Sequence, residues 1–389
     1  MSILVSVMVA IILLSFITLS HTHSFFRFKS ENLLEQLERN EAVFFLDEIQ
    51  NEAIFDSIEL TKSFRGGFQL ITAKSKFNNT YLIKIGLVGA IQNKQNTALY
   101  LQDNNNPLVM VGNAEIHGNV LLPANGVKAG VISGTYFNGN KLIRGDIKYS
   151  NSNLPALETN FDQYVQELRD ISNINSDNSI SLNSELKNSF KNSEKIIFDE
   201  RQFTIYENAI GNIRFQSNKE IVISKEANLT DVLIVAPKIR IEKGFKGNIH
   251  LVAHDSIIIE KEVELKYPSS VIILHSINSE IDPAILIDKG SKVEGVVFFS
   301  NRIPTEKKET NILISEKAVV RGGLYCEGYV ELYGTVFGEV YTSYFLTKAS
   351  SGRYINHLMD GKIIANNESE SFFHLPLKSS KKGVVQWMY

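Results

Sequence analysis

Five segments decide the fold: Ile221-Val-Ile-Ser-Lys225, Ile239-Arg-Ile-Glu-Lys243, Ile257-Ile-Ile-Glu-Lys261, Ile285-Leu-Ile-Asp-Lys289 and Ile312-Leu-Ile-Ser-Glu-Lys317. A degenerate sixth copy, Val330-Glu-Leu-Tyr333, follows them. Successive starts lie 18, 18, 28, 27 and 18 residues apart. A second apolar run recurs in phase between them, at residues 232–236, 249–253, 271–274, 296–299 and 324–326. Each unit is therefore strand, corner, strand, corner, too short to include a crossover helix of about a dozen residues. The two longer intervals absorb polar inserts at 277–283 and 302–310. A fixed period with inserts at corners is how a solenoid behaves, because one coil cannot bury its apolar face alone.

Alternation within the units sets the register. In Ile239-Arg240-Ile241 the outer members point inward and the central one outward. The same phase places Ile239, Ile241, Ile257, Ile259, Ile285, Ile287, Ile312 and Ile314 in the core. A β-sandwich also fits short strands and regular turns. It does not explain near-identical residues recurring at one phase.

Outward from the repeat, the chain changes character several times. Residues 112–145 scatter glycines between short β-branched runs, which suits tight corners, and are expected to join the same solenoid. Between 150 and 193, eighteen of the 44 positions are Asn or Ser, a composition that buries little apolar surface. Within that stretch Phe161, Tyr164, Val165, Leu168 and Ile171 share one helical face. It reads equally as a looped excursion carrying a short helix or as a plain linker. As an excursion between neighbouring coils, it is removable. Residues 30–60 have a helical pattern and 68–101 a strand-like one.

The first segment is uncharged. Between Ile3 and Leu19 there is no Asp, Glu, Lys or Arg, and at about 1.5 Å per residue the run nearly spans a hydrocarbon core. A cleaved signal peptide is the competing reading. The n-region lacks a basic residue and Thr18-Leu19-Ser20 is a poor cleavage site, which favours a retained anchor. The whole is then an all-β chain: a parallel β-helix body with an N-terminal transmembrane helix and a small α+β membrane-proximal region. Its divisions are 1–29 anchor, 30–106 membrane-proximal region, 107–150 first glycine-rich coils, 151–193 polar excursion, 194–350 β-helix body, and 351–389 cap and tail.

The Ile-x-Ile-Glu-Lys coils with glycine corners resemble bactofilins, the parallel β-helical polymerising cytoskeletal proteins. The likeness covers roughly residues 215 to 345 and lies in architecture. The apolar N-terminus followed by a polar helix is similar to the start of minor pilin-like proteins, without the glutamate that the prepilin motif carries after its processing glycine. Together these resemblances imply a bacterial envelope protein.

Forty basic against 43 acidic residues exclude a global basic field for nucleic acid. The lone Cys326 excludes an intrachain disulfide framework and any CxxC site. His254 and His275 close equivalent strands, Asp255 adjoins the first, and His250 precedes it by four residues. Imidazoles on adjacent coils beside a carboxylate are the chain's best candidate for metal or acid–base chemistry. A polar ladder at a solvated corner is the plainer reading. Glu242, Glu260 and Asp288, each followed by lysine, read as surface charge ladders and not as a catalytic cluster.

The expected protein is a membrane-anchored, exported structural or adhesive scaffold with no enzymatic activity and no cofactor. The alternative is a β-helical polysaccharide-binding or polysaccharide-cleaving enzyme. Expected partners are the lipid bilayer, other envelope proteins or glycans, and further copies of the chain.

Overall fold

The computed structural model describes residues 14, 15, 17, 18, 20, 57–77, 80–90, 97–157, 160–169, 186–275, 282–301, 309–365, 377 and 382–388. Its body is a stack of coils whose strands hydrogen-bond in parallel into three ladders, joined into one sheet closed on itself. Each coil of the repeat runs through ladder A (residues 208–210, 228–230, 246–247 and 264–265 on the first successive coils), turns into ladder B, then turns into ladder C.

Ladder C carries the sequence repeat. Its register pairs Ile221 with Ile239, Ile239 with Ile257, Ile257 with Ile285, Ile285 with Ile312, and Ile312 with Val330. The inward isoleucines, from Ile239 through Ile314, are 0–1% exposed. The carboxylates of Glu242 and Glu260 accept the N–H of Lys225 and Lys243 one coil below, at 3.2 and 3.0 Å. Acid–lysine corners thus close the turns.

The corner from A to B is a column of small residues. Ser269 pairs with Gly295, Gly295 with Gly322, and Gly322 with Gly338. These three glycines have φ of 130–140°. A Cβ on any of them would sit 1.9–2.0 Å from the carbonyl oxygen of the residue beneath. Only glycine lets successive coils approach at this corner.

Ladder B is apolar on both faces. Val232, Ile234, Ile249, Leu251, Val271 and Ile273 point into the solenoid. Leu233, Val235, Val252, Ile272, Leu274 and Phe298 point out, into a second apolar layer. That layer is an antiparallel sheet of Ser57–Arg65, Phe68–Phe77, Thr80–Ala90 and Lys382–Met388, together with helix α1 (Phe161–Glu167). Burial on both sides explains why ladder B reads as continuous apolar runs while ladder C alternates.

The order of coils along the axis differs from their order in the chain. Ladder B climbs from Lys195–Asp199 to residues 338–342 in sequence order. The next rung is Thr97–Leu101, with Leu99 on Val340, followed by Asn119–Leu122 and Ile147–Tyr149. The glycine-rich coils therefore lie last on the axis. Where the two halves meet, one coil is composite. Its C side is His357–Met359 and its A side Lys362–Ile364, stacked against Leu108–Val111 and Glu115–His117, while its B side is Thr97–Leu101. Leu358, Ile363 and Leu99 fill its interior at 0–1% exposure.

Two expectations are corrected here. Among the described residues no helix is long and apolar enough to cross a membrane. Of the run between Ile3 and Leu19, only Leu14, Ser15, Ile17 and Thr18 are described, and they are helical. A span needs about 20 consecutive apolar residues. The transmembrane helix in the expected fold class, and the single-pass membrane location built on it, are thus unsupported. The helix expected over 30–60 lies outside the described residues up to 56; residues 57–60 belong to the first strand of the antiparallel sheet.

The second correction concerns the excursion. Its described residues 151–157 and 160–169 do not loop between adjacent coils but run along ladder B as a strap. Tyr100 accepts the N–H of Asn151 and donates to the Asn153 carbonyl, both at 2.9 Å, and Tyr325 donates to the Pro155 carbonyl at 3.2 Å. Phe298, Tyr325, Tyr341 and Tyr100, on successive rungs, stack with ring centroids 5.4, 6.4 and 6.1 Å apart. Phe161 then meets Phe298 edge-on at 5.3 Å.

The second layer is locked by its hairpin turn. Arg65, 2% exposed, donates through Nη1 to Glu194 at 2.7 Å and through Nη2 to the carbonyls of Gly211, Ile213 and Asp231 at 2.8–3.2 Å. Gly66 N–H reaches the Tyr164 hydroxyl and Gly67 N–H the Ser270 hydroxyl, each at 3.0 Å. Ser270 also bonds His250 Nδ1 at 3.0 Å, and the fully buried imidazole packs edge-on to Phe68.

Two outcomes follow from this architecture. The strap leaves Asn151 on the rung of Tyr100 and ends beside Lys195–Asp199, eight rung spacings away, roughly 38 Å at about 4.8 Å each. A ten-residue Gly/Ser linker has a root-mean-square span of only about 18 Å. Replacing residues 152–190 with such a linker should abolish folding, read as loss of the thermal transition; a cooperative transition would contradict the axial order. The second outcome concerns His250, whose pKa is pushed down to about 3 by burial, with the Arg65 charge adding to it. An unfolded histidine titrates near 6.5, so between these values only the unfolded chain binds the proton. Stability is complete above pH 6.5 and falls as pH drops toward 3, by about 2 kcal/mol at pH 5. His250→Gln should flatten the decline of the melting temperature between pH 7 and 5; identical slopes would mean that the folded imidazole ionises.

Candidate functional site

The strap delivers Arg169 to a cleft at the corner where ladder B turns into ladder C. The cleft has a volume of about 320 Å³. Its floor is Val235, Ala236, Pro237, Val252 and Ala253, from two consecutive coils, and its polar wall is Gln216, Ser217, Asn218, His254 and Arg169. The corner is held by the Pro237 carbonyl, which accepts the N–H groups of both Asp255 and Ser256 at 3.0 and 3.2 Å.

Of the residues expected from sequence, His254 and Asp255 come together directly. His254 Nδ1 lies 2.9 Å from Asp255 Oδ1, with the two side chains 18% and 11% exposed. His275 is not stacked ring on ring with His254. The register pairs Ala253 with Ile273, so His275 falls one residue further along than His254. It bonds instead through Nδ1 to the His254 carbonyl at 2.7 Å. His250 lies four residues, about 13 Å, back along the strand and faces the second layer. No group of three or more metal-ligating side chains occurs among the described residues.

Electrostatics bind the cleft together. Burial would raise the Asp255 carboxyl, but the His254 hydrogen bond and the charges of His254, His275 and Lys238 outweigh it and hold the group below the usual carboxylate range. Burial pushes Arg169 down to about 10, opposed by the Asp255 charge. Its Nη2 donates to the Leu274 carbonyl, fixing the guanidinium at the wall. Gln216 is 2% exposed, donates through Nε2 to the Leu168 carbonyl at 2.9 Å, and leaves Oε1 without a hydrogen-bond partner among the described residues.

Arg169 and Gln216 escape a reading by motif. One reaches the cleft on the strap and the other on a ladder, joined by the Gln216–Leu168 hydrogen bond. The signal in the sequence is slight: Arg169 is the sole arginine between residues 150 and 193. Comparison with protein families, with curated proteins and with solved structures yields no match for this chain.

Proposed function

We propose that the protein is a rigid, non-catalytic scaffold that binds an anionic, hydroxyl-rich ligand of the uronate-bearing glycan class in the Arg169 cleft. The observation that carries this reading is Gln216 Oε1, a buried acceptor of a cleft-wall residue without a partner among the described residues. Such an atom costs about 1–3 kcal/mol unless a donor meets it, and a sugar hydroxyl is such a donor. Arg169 supplies the planar fork that suits a carboxylate. The apolar floor of Val235, Pro237 and Val252 suits the carbon face of a sugar ring.

Among the described residues, the cleft lining contains no carboxylate. Hydrolysis of glycosides ordinarily uses two of them flanking the bond, which favours binding over cleavage. One feature favours the second reading, acid–base cleavage of the same ligand class. Asp255 orients the His254 imidazole from behind, as the partner of a general base does.

Titration calorimetry of the full chain with oligogalacturonate and with its methyl ester separates these readings. The acid should bind about 10–100-fold tighter than the ester, the range of a hydrogen bond to a charged group. Arg169→Gln should erase that difference. Equal affinity for acid and ester would overturn the proposal. Formation of shortened or unsaturated products, abolished by His254→Ala, would establish the catalytic reading instead.

A further inference from the structure

The two ends of the solenoid are finished differently. At the first coil the inward residues Leu186, Ile197 and Ile205 are 2%, 7% and 0% exposed. At the last coil, Ile147 and Tyr149 stand on Val120 and Leu122 in the inward phase of ladder B, yet are 49% and 76% exposed. Val131 and Tyr136, in the same terminal turn, are 48% and 68% exposed. Among the described residues, an apolar cross-section of the core is left open at this end, where solenoids normally need a polar cap.

Among the described residues, the last rung also has a free edge. The Asp146 carbonyl accepts from Val120 N–H, and Ser150 N–H donates to the Leu122 carbonyl, both at 2.8 Å toward the previous coil. In a parallel pair, residues alternate in the direction of their backbone groups. Ile147 and Tyr149 therefore turn their N–H and C=O groups outward.

We propose that this edge pairs with the same edge of a second copy, antiparallel and two-fold about Ile147. A two-fold interface must be self-complementary, and this segment is. With Ile147 opposite its twin, Asp146 faces Lys148 of the other copy and Lys148 faces Asp146. Both side chains are exposed, and neither makes an ion pair among the described residues. One position further, Tyr149 lies opposite Gly145. That glycine has no Cβ because a Cβ would stand 2.1 Å from the Gly118 carbonyl oxygen, and it leaves room for a large ring. Ile147 has its backbone groups on the open side, as the centre of a hydrogen-bonded antiparallel pair requires. Lys128, Lys141 and Arg144 add positive charge around the rim, whose repulsion is largely screened beyond about 8 Å at physiological ionic strength. The surface is small, so the dimer belongs to the weak, reversible class.

The test is a charge exchange in the full chain, followed by sedimentation over a hundredfold range of concentration. Asp146→Lys places Lys against Lys, and Lys148→Asp places Asp against Asp, so each variant alone should dimerise about tenfold more weakly. Mixing the two variants restores both ion pairs and should restore the wild-type dimer as a heterodimer. Ile147→Cys should oxidise rapidly to a covalent dimer, because Cα atoms about 5.5 Å apart suit a disulfide, whereas Asn140→Cys should not. Association elsewhere on the chain, including through its apolar N-terminus, would not respond to mixing. Monomers at every concentration without the Ile147→Cys dimer, or dimers indifferent to both exchanges, would overturn the proposal.

Discussion

A coil in a parallel solenoid hydrogen-bonds only to the coils above and below it, so the stack is as continuous as its weakest rung. Here the decisive rung is the composite coil, in which Leu358 and Ile363 arrive from the end of the repeat and Leu99 from well before it. Without Thr97–Leu101 on residues 340–342, the terminal turns 108–149 would lose their ladder B support, and the body would end on an open apolar face. This junction also has a kinetic meaning. A simple solenoid can nucleate locally and propagate. This one must close contacts some 240 residues apart in sequence before its last coils can stack, and such loop closure slows folding.

The strap and the second layer are consequences of that axial order. A chain that finishes Ile147–Tyr149 at one end and begins Leu186–Asn188 at the other must travel the length of the body. The strap's described residues, up to Arg169, lie over the outer face of ladder B, which is why that face is apolar. The tyrosine stack serves both ends of the problem: its rings pack rung on rung, and the Tyr100 and Tyr325 hydroxyls satisfy strap backbone groups. Arg65 does the same for the antiparallel sheet, spending its guanidinium on Glu194 and on three carbonyls of the A-to-B corner.

What was legible in the sequence follows from how many faces each strand buries. Ladder C buries one face, so its Ile-x-Ile phase and pairing partners stand out along the chain. Ladder B buries both, and its uniform runs revealed strands without revealing that anything covers them. The axial order was not legible, because Leu99 pairs with Val340 by shape and hydrogen bonding that any short apolar strand offers. The candidate site was legible in half. His254 and Asp255 are chain neighbours at a strand end, so their meeting needs no tertiary knowledge. His275 was placed on the right corner but in the wrong relation, since register irregularities between Gly247 and His250, and between Leu265 and Ser269, shift the alignment of the strand ends.

Arg169 joins these two levels of organisation. It is presented to the cleft by the strap, and the strap is anchored one rung above residues 338–342, on Tyr100 of the composite coil. The apolar floor of the cleft belongs to the coils themselves. Its cation does not. Nearer Arg169 the strap is held by the outer face of those coils: Tyr325 donates to the Pro155 carbonyl, Phe161 meets Phe298 edge-on, and Gln216 donates to the Leu168 carbonyl. The corner therefore acquires its charge complement only when the strap has docked on ladder B, which makes the binding geometry a property of strap and coils together and not of the repeat alone.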